Sequence, residues 1–184
     1  MSPATESALV ILTRLPDAIQ RIRQRYDPAA ALGVPPHVTI MYPFLPPAEM
    51  TGEVRRELQG LAGRQPRFTY TLPSLLEWPD GVRVLAAEPA LPFRALTSAV
   101  QERWGLVPYE GSVALEEIVP HVTLGRELSS VAARQLVDVV ASEKVIERDA
   151  VALTLLIRRG TWATEAGFVL APTQLKGEVR DGPE

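Results

Sequence analysis

One tripeptide, His-Val-Thr, occurs twice in this chain, and it contains every histidine the chain has. His37-Val38-Thr39-Ile40 recurs as His121-Val122-Thr123-Leu124, 84 residues later, and each copy follows a proline, Pro36 or Pro120. In an extended strand, residues i and i+2 project to one face while i+1 and i+3 project to the other. Each copy therefore presents an imidazole and a hydroxyl together and turns two aliphatic side chains into a core. Such a segment is a polar pair mounted on a buried strand. A fold that uses it twice is expected to hold two comparable halves.

The flanking sequence supports that reading. Ala8–Leu12 is a short continuous apolar run, as in a buried strand. Residues Ala18–Tyr26 place Ile19, Ile22 and Tyr26 at helical spacing, with Arg21, Arg23 and Arg25 read as a solvated face. Pro35-Pro36 cannot continue a helix and leads extended chain into His37–Tyr42. Glu49–Leu61 reads as a helix. Phe68–Leu72 and Val82–Ala87 read as strands, with a turn at Pro79-Asp80-Gly81. Pro92–Trp104 is helical, and a loop rich in Gly and Pro leads to the strand Val119–Gly125. Ser129–Val140 is helical, capped by Ser129 or Ser130. Val151–Arg158 and Trp162–Leu170 form a hairpin around Arg159-Gly160-Thr161. The polar segment 172–184 reads as a flexible tail, and residues 1–171 as a single bilobal domain.

The series strand, helix, strand, helix, strands thus appears twice, a weak internal duplication. The expected class is α+β: antiparallel or mixed sheets with flanking helices, related by a pseudo-two-fold about a central cleft.

Composition narrows the chemistry. With a net charge of −3, the chain is not a bulk polyanion binder, so no extended nucleic-acid binding is expected. A nucleotide or an RNA terminus suits it better. It has no cysteine and only two histidines, a poor set for catalytic zinc, which usually takes three protein ligands. No metal and no other cofactor is expected. No signal peptide is evident before the first strand, and no apolar run is long enough to span a bilayer. A cytoplasmic monomer with no membrane association is the default expectation.

Two imidazoles, each beside a hydroxyl, suit attack on phosphorus. One neutral ring takes a proton from the attacking oxygen, and the other, protonated, gives one to the leaving oxygen. Threonine hydroxyls can donate to the non-bridging oxygens, where charge develops. His37, His121, Thr39 and Thr123 are the candidate catalytic residues.

The paired H-x-[ST] motifs resemble the signature of the 2H phosphoesterase superfamily. The stretch Pro36-His37-Val38-Thr39-Ile40-Met41-Tyr42-Pro43-Phe44 is similar to its bacterial 2′-5′ RNA ligase-like branch. The resemblance spans roughly Ala8 to Leu170. It implies a bilobal α+β fold with a central cleft. It also implies hydrolysis of 2′,3′-cyclic phosphates or 2′-5′ phosphodiesters, with reverse ligation in some members.

Other residues carry weaker signals. Tyr42 can stack on a base or pack at a rim. Arg158 and Arg159 can neutralise phosphate or be solvated surface. Trp162 and Phe168 can line a pocket or fill a core. Tyr42, Arg158 and Trp162 are retained as candidate substrate-binding residues. Arg126 closely follows the second motif, and Glu77-Trp78 reads as a loop feature. The competing functional reading is a nucleotide or RNA-end binding module without turnover.

Overall fold

A computed structural model describes residues 6–108, 114–143 and 145–173. Most of the expected tail (174–184) and part of the Gly- and Pro-containing loop (109–113) lie outside the described residues.

Among the described residues, eight strands form two four-stranded sheets with orders β2-β1-β7-β8 and β5-β4-β3-β6. Every strand pairing within them is antiparallel. The first sheet contains β1 (Glu6–Leu12), β2 (His37–Met41), β7 (Ala152–Arg159) and β8 (Thr161–Val169). The second contains β3 (Phe68–Glu77), β4 (Arg83–Glu88), β5 (His121–Gly125) and β6 (Glu147–Ala150). The main helices are α1 (Asp17–Tyr26), α3 (Gly52–Ala62), α4 (Leu91–Trp104) and α5 (Ser130–Ser142), with a single turn α2 (Pro28–Ala31).

The two halves match residue for residue where it matters. Each motif strand lies at a sheet edge beside the strand that precedes it in the chain. His37 faces Leu12 and Thr39 faces Val10; His121 faces Ala86 and Thr123 faces Val84. The register slips once in each pair, at Leu9/Val10 and at Arg83/Val84, just beyond the threonine. The helices cross over reciprocally. α1, which links β1 to β2, packs on β5, while α4, which links β4 to β5, packs on β2.

Val38, Ile40, Val122 and Leu124 are at most 2% exposed and enter one continuous core with Leu9, Ile11, Leu85, Phe93 and Leu96. Burying each such side chain is worth about 1.5–3 kcal/mol. A slip by one residue would push histidine and threonine into that core, so the aliphatic positions lock the polar ones outward. The second face of β1 differs. Ala8 and Val10 join Val34 and Leu156 in a small cluster with Ala29 and Trp162 packed on it.

The structure departs from the sequence reading at several places. β3 continues past Leu72 to Glu77, although Pro73 interrupts the pattern. A register shift between Thr71 and Ser74 accommodates the proline. The helix expected from Glu49 splits: Pro47–Glu49 is a 3₁₀ turn, and α3 starts after Thr51, whose hydroxyl accepts from the Val54 N–H. Short, polar β6 was not anticipated. Ser129, not Ser130, caps α5, accepting from the Ala132 N–H. Arg23 is not solvated: it is 2% exposed.

Candidate active site

A cleft of about 530 Å³ lies where β2 and β5 approach each other. His37, Thr39, His121 and Thr123 all line it, as do Tyr42, Arg158 and Trp162. All seven residues singled out from the sequence thus share one concavity. A larger depression of about 720 Å³ between α3 and α4 is lined by charged residues such as Arg56, Glu57, Arg64 and Glu102, and neither motif reaches it.

Both imidazoles are anchored in the same way. His37 Nδ1 lies 2.7 Å from the Pro35 carbonyl oxygen, and His121 Nδ1 lies 2.8 Å from that of Val119. A carbonyl can only accept, so Nδ1 carries the hydrogen in both rings. Nε2 is then the atom left to take or give a proton. The prolines contribute directly, because Pro36 and Pro120 each fix the turn of chain between the histidine and the carbonyl that orients it.

Burial disfavours the charged form of both rings. The His37 pKa falls from 6.5 to about 4, chiefly through burial. Its bond to the Pro35 carbonyl opposes the fall, and the nearby cations Arg23 and His121 add to it. Burial also lowers His121, opposed by its bond to Val119. The indole of Trp78 meets the His121 ring edge-on. Trp78 also lines the cleft, so it is more than a loop feature.

At one end of the cleft, Glu6 lies opposite Arg158 across the β1–β7 pair. Its carboxylate accepts from Arg158 Nη1 at 3.2 Å and from the Tyr42 hydroxyl at 2.9 Å. Arg158 is therefore partly neutralised rather than a free phosphate clamp. Tyr42 and Trp162 pack edge to face with ring centroids 6.1 Å apart. The Trp162 backbone N–H donates to the Leu32 carbonyl at 2.8 Å. Gly33 permits that approach: its φ is +86°, and a Cβ there would lie 2.9 Å from the Trp162 carbonyl oxygen. Arg126 also lines the cleft, 3.4 Å from Asp80. Arg159 pairs instead with Glu165 at 2.9 Å, and Phe168 is buried in the main core.

Sequence reasoning missed Glu6, Trp78 and Arg23 as parts of this site. For Arg23 a signal existed: Ile19, Ile22, Arg23 and Tyr26 share one helical stripe, and Asp27 follows Arg23 by four residues. Among the described residues, no group of three or more His, Cys, Asp or Glu is arranged to hold a metal ion. No helix among them is long and apolar enough to cross a membrane.

The antiparallel two-sheet fold thus brings both imidazole–hydroxyl strands to one cleft. The family model of the 2′-5′ RNA ligase superfamily matches residues 12–162, so the chain belongs to that superfamily, the 2H phosphoesterases. It is 27% identical over 167 residues to a candidate phosphoesterase of Geobacillus kaustophilus, covering 85% of this chain and 90% of that one. It is 29% identical over 159 residues to a candidate phosphoesterase of Bacillus cereus, covering 84% and 89%. Escherichia coli LigT crystallised with NADP+ shares the fold, with a TM-score of 0.55 at 22% identity over 92% of this chain and 99% of that one. A Thermus thermophilus structure gives 0.56 at 17% identity over 91% and 99%.

Proposed function

We propose that this cleft hydrolyses a 2′,3′-cyclic phosphate, or a 2′-5′ phosphodiester, of a nucleotide or RNA end, by acid–base catalysis between His37 and His121 without a metal ion. The observation that carries the reading is the shared anchoring of the two rings. Each holds Nδ1–H on a backbone carbonyl, which leaves one Nε2 to act as base and the other as acid. Water attacks phosphorus and gives a proton to the neutral imidazole. The bond from phosphorus to one ribose oxygen breaks, and the protonated imidazole supplies that oxygen with its proton. A cyclic substrate thereby becomes a nucleoside monophosphate. The Thr39 and Thr123 hydroxyls donate to the non-bridging oxygens.

The cleft volume suits a mononucleotide. Its apolar patch with Tyr42 and Trp162 offers a base something to stack on. LigT structures with NADP+, 3′-AMP and ATP make nucleotides the first ligands to try. Reverse 2′-5′ ligation would use the same two imidazoles with their roles exchanged.

The test is a product assay in chelator, using 2′,3′-cyclic nucleotides, 2′-5′ dinucleotides and cyclic-phosphate RNA ends. Turnover abolished by His37→Gln and by His121→Gln is the expected result. Nucleotide binding with no product from any substrate would instead assign a binding module.

A further inference from the structure

We infer that Arg23 is a positioning residue for the proposed two-imidazole reaction, its buried guanidinium clamping the backbones of the two motif segments together beneath the cleft. This rests on the function proposed above. Nε donates to the Thr123 carbonyl at 3.2 Å, inside the second motif. Nη1 donates to the Val34 carbonyl at 3.0 Å, one residue before the carbonyl that anchors His37. Nη2 pairs with Asp27 at 2.8 Å. Asp27 is 4% exposed, and its other oxygen caps α2 by accepting from the Ala29 N–H at 3.0 Å. One rigid planar group thus ties β5, the approach to β2 and the α2 wall of the cleft.

The pseudo-two-fold makes this clamp stand out. On the opposite side, α4 meets β2 through a neutral group: the buried Thr97 hydroxyl donates to the Ile40 carbonyl at 3.0 Å. A hydroxyl is enough to close that contact. A buried charge is a costly way to close the equivalent one unless it does something further. The cation lies close enough to lower the pKa of His37, whereas it is not among the causes acting on His121. The cation is thus one of the features that make the two rings unequal. The other charged or titratable groups on this cleft are Glu6, Asp27, Tyr42, Arg126 and Arg158, besides the second histidine.

Two variants separate the fork from the charge. Arg23→Lys keeps a buried cation but cannot reach all three acceptors. Arg23→Met combined with Asp27→Asn removes both charges without stranding a carboxylate. With only two histidines, both imidazole titrations can be followed by NMR. In Arg23→Lys, kcat should fall at least about tenfold, with KM much less changed and the His37 midpoint still low. In the double variant the His37 midpoint should rise, while that of His121 holds. Unchanged kcat in folded Arg23→Lys overturns the proposal, as does an unmoved His37 midpoint in the folded double variant. If the double variant does not fold, Arg23→Lys decides alone. If the wild type yields no product from any substrate, the catalytic reading fails; the His37 midpoint then decides separately whether Arg23 acts on that ring.

Discussion

Trp78 covers His121: their rings meet edge to face, with centroids 4.4 Å apart and planes inclined at 71°. His37, the partner ring, is lowered chiefly by its own burial and further by the Arg23 cation. Burial is the main force lowering the His121 pKa. Removing the indole in Trp78→Ala should therefore raise the His121 midpoint toward 6.5 and leave that of His37 in place. Imidazole titration by NMR reads both in one experiment. Equal movement of the two midpoints would count against a local effect of the indole.

Stability should depend on pH through the same rings. Both have folded-state pKa values below the ordinary 6.5, that of His37 at about 4. The unfolded chain therefore takes up protons first as the pH falls. Their contribution is complete above 6.5 and is lost progressively toward about pH 4. His37→Gln should flatten that loss. Denaturant midpoints at pH 7 and pH 4.5 in wild type and variant provide the check, and identical slopes in both would reject the assignment.

Turnover should follow a bell displaced to acid pH. The base works only above its pKa and the acid only below its own. With both lowered, the productive range should sit on the acid side of 6.5 and reach down toward about 4. His37→Gln and His121→Gln should each cost about 10²–10⁴-fold in kcat. EDTA should change nothing. A pH–rate profile beside a chelator titration tests all three.

At the Tyr42–Trp162 end, the expected loss is in binding. If a base stacks on Trp162, Trp162→Ala should raise KM by about ten- to hundredfold, with a smaller effect on kcat. Steady-state kinetics on one cyclic nucleotide, together with equilibrium binding of the product monophosphate, separates the two.

Gly125 marks where α1 closes on β5. A Cβ there would lie 2.8 Å from Tyr26 Cβ, 3.1 Å from the Tyr26 carbonyl oxygen and 2.8 Å from Leu128 Cδ1. The Tyr26 carbonyl also accepts from the Arg126 N–H at 3.1 Å. Gly125→Ala should destabilise the protein by about 1–3 kcal/mol, measured by denaturant unfolding.

The motif strands were legible because a period of two separates His and Thr from Val, Ile and Leu at both sites, and the structure buries the second set. The β7–β8 hairpin was legible for the same reason, helped by Gly160, whose φ is +83°. What escaped was long-range. Trp78 and Glu6 reach the cleft only because β3 runs on through Pro73 and because β1 pairs with β7. No local pattern encodes either. Arg23 escaped by being grouped with Arg21 and Arg25. Those two lie four residues apart and share a helical face, whereas a residue midway between them points nearly the opposite way.

β7 sits between β1 and β8, although some 140 residues separate it from β1 in the chain. A ribosome must therefore release nearly all of this sequence before the first sheet can close. Until then β1 has only β2 to pair with in that sheet, and a two-stranded ribbon leaves an open edge that templates wrong partners. The same threading means that cutting the gene between the two motifs would give no self-sufficient halves, because each piece would lack strands that the other carries.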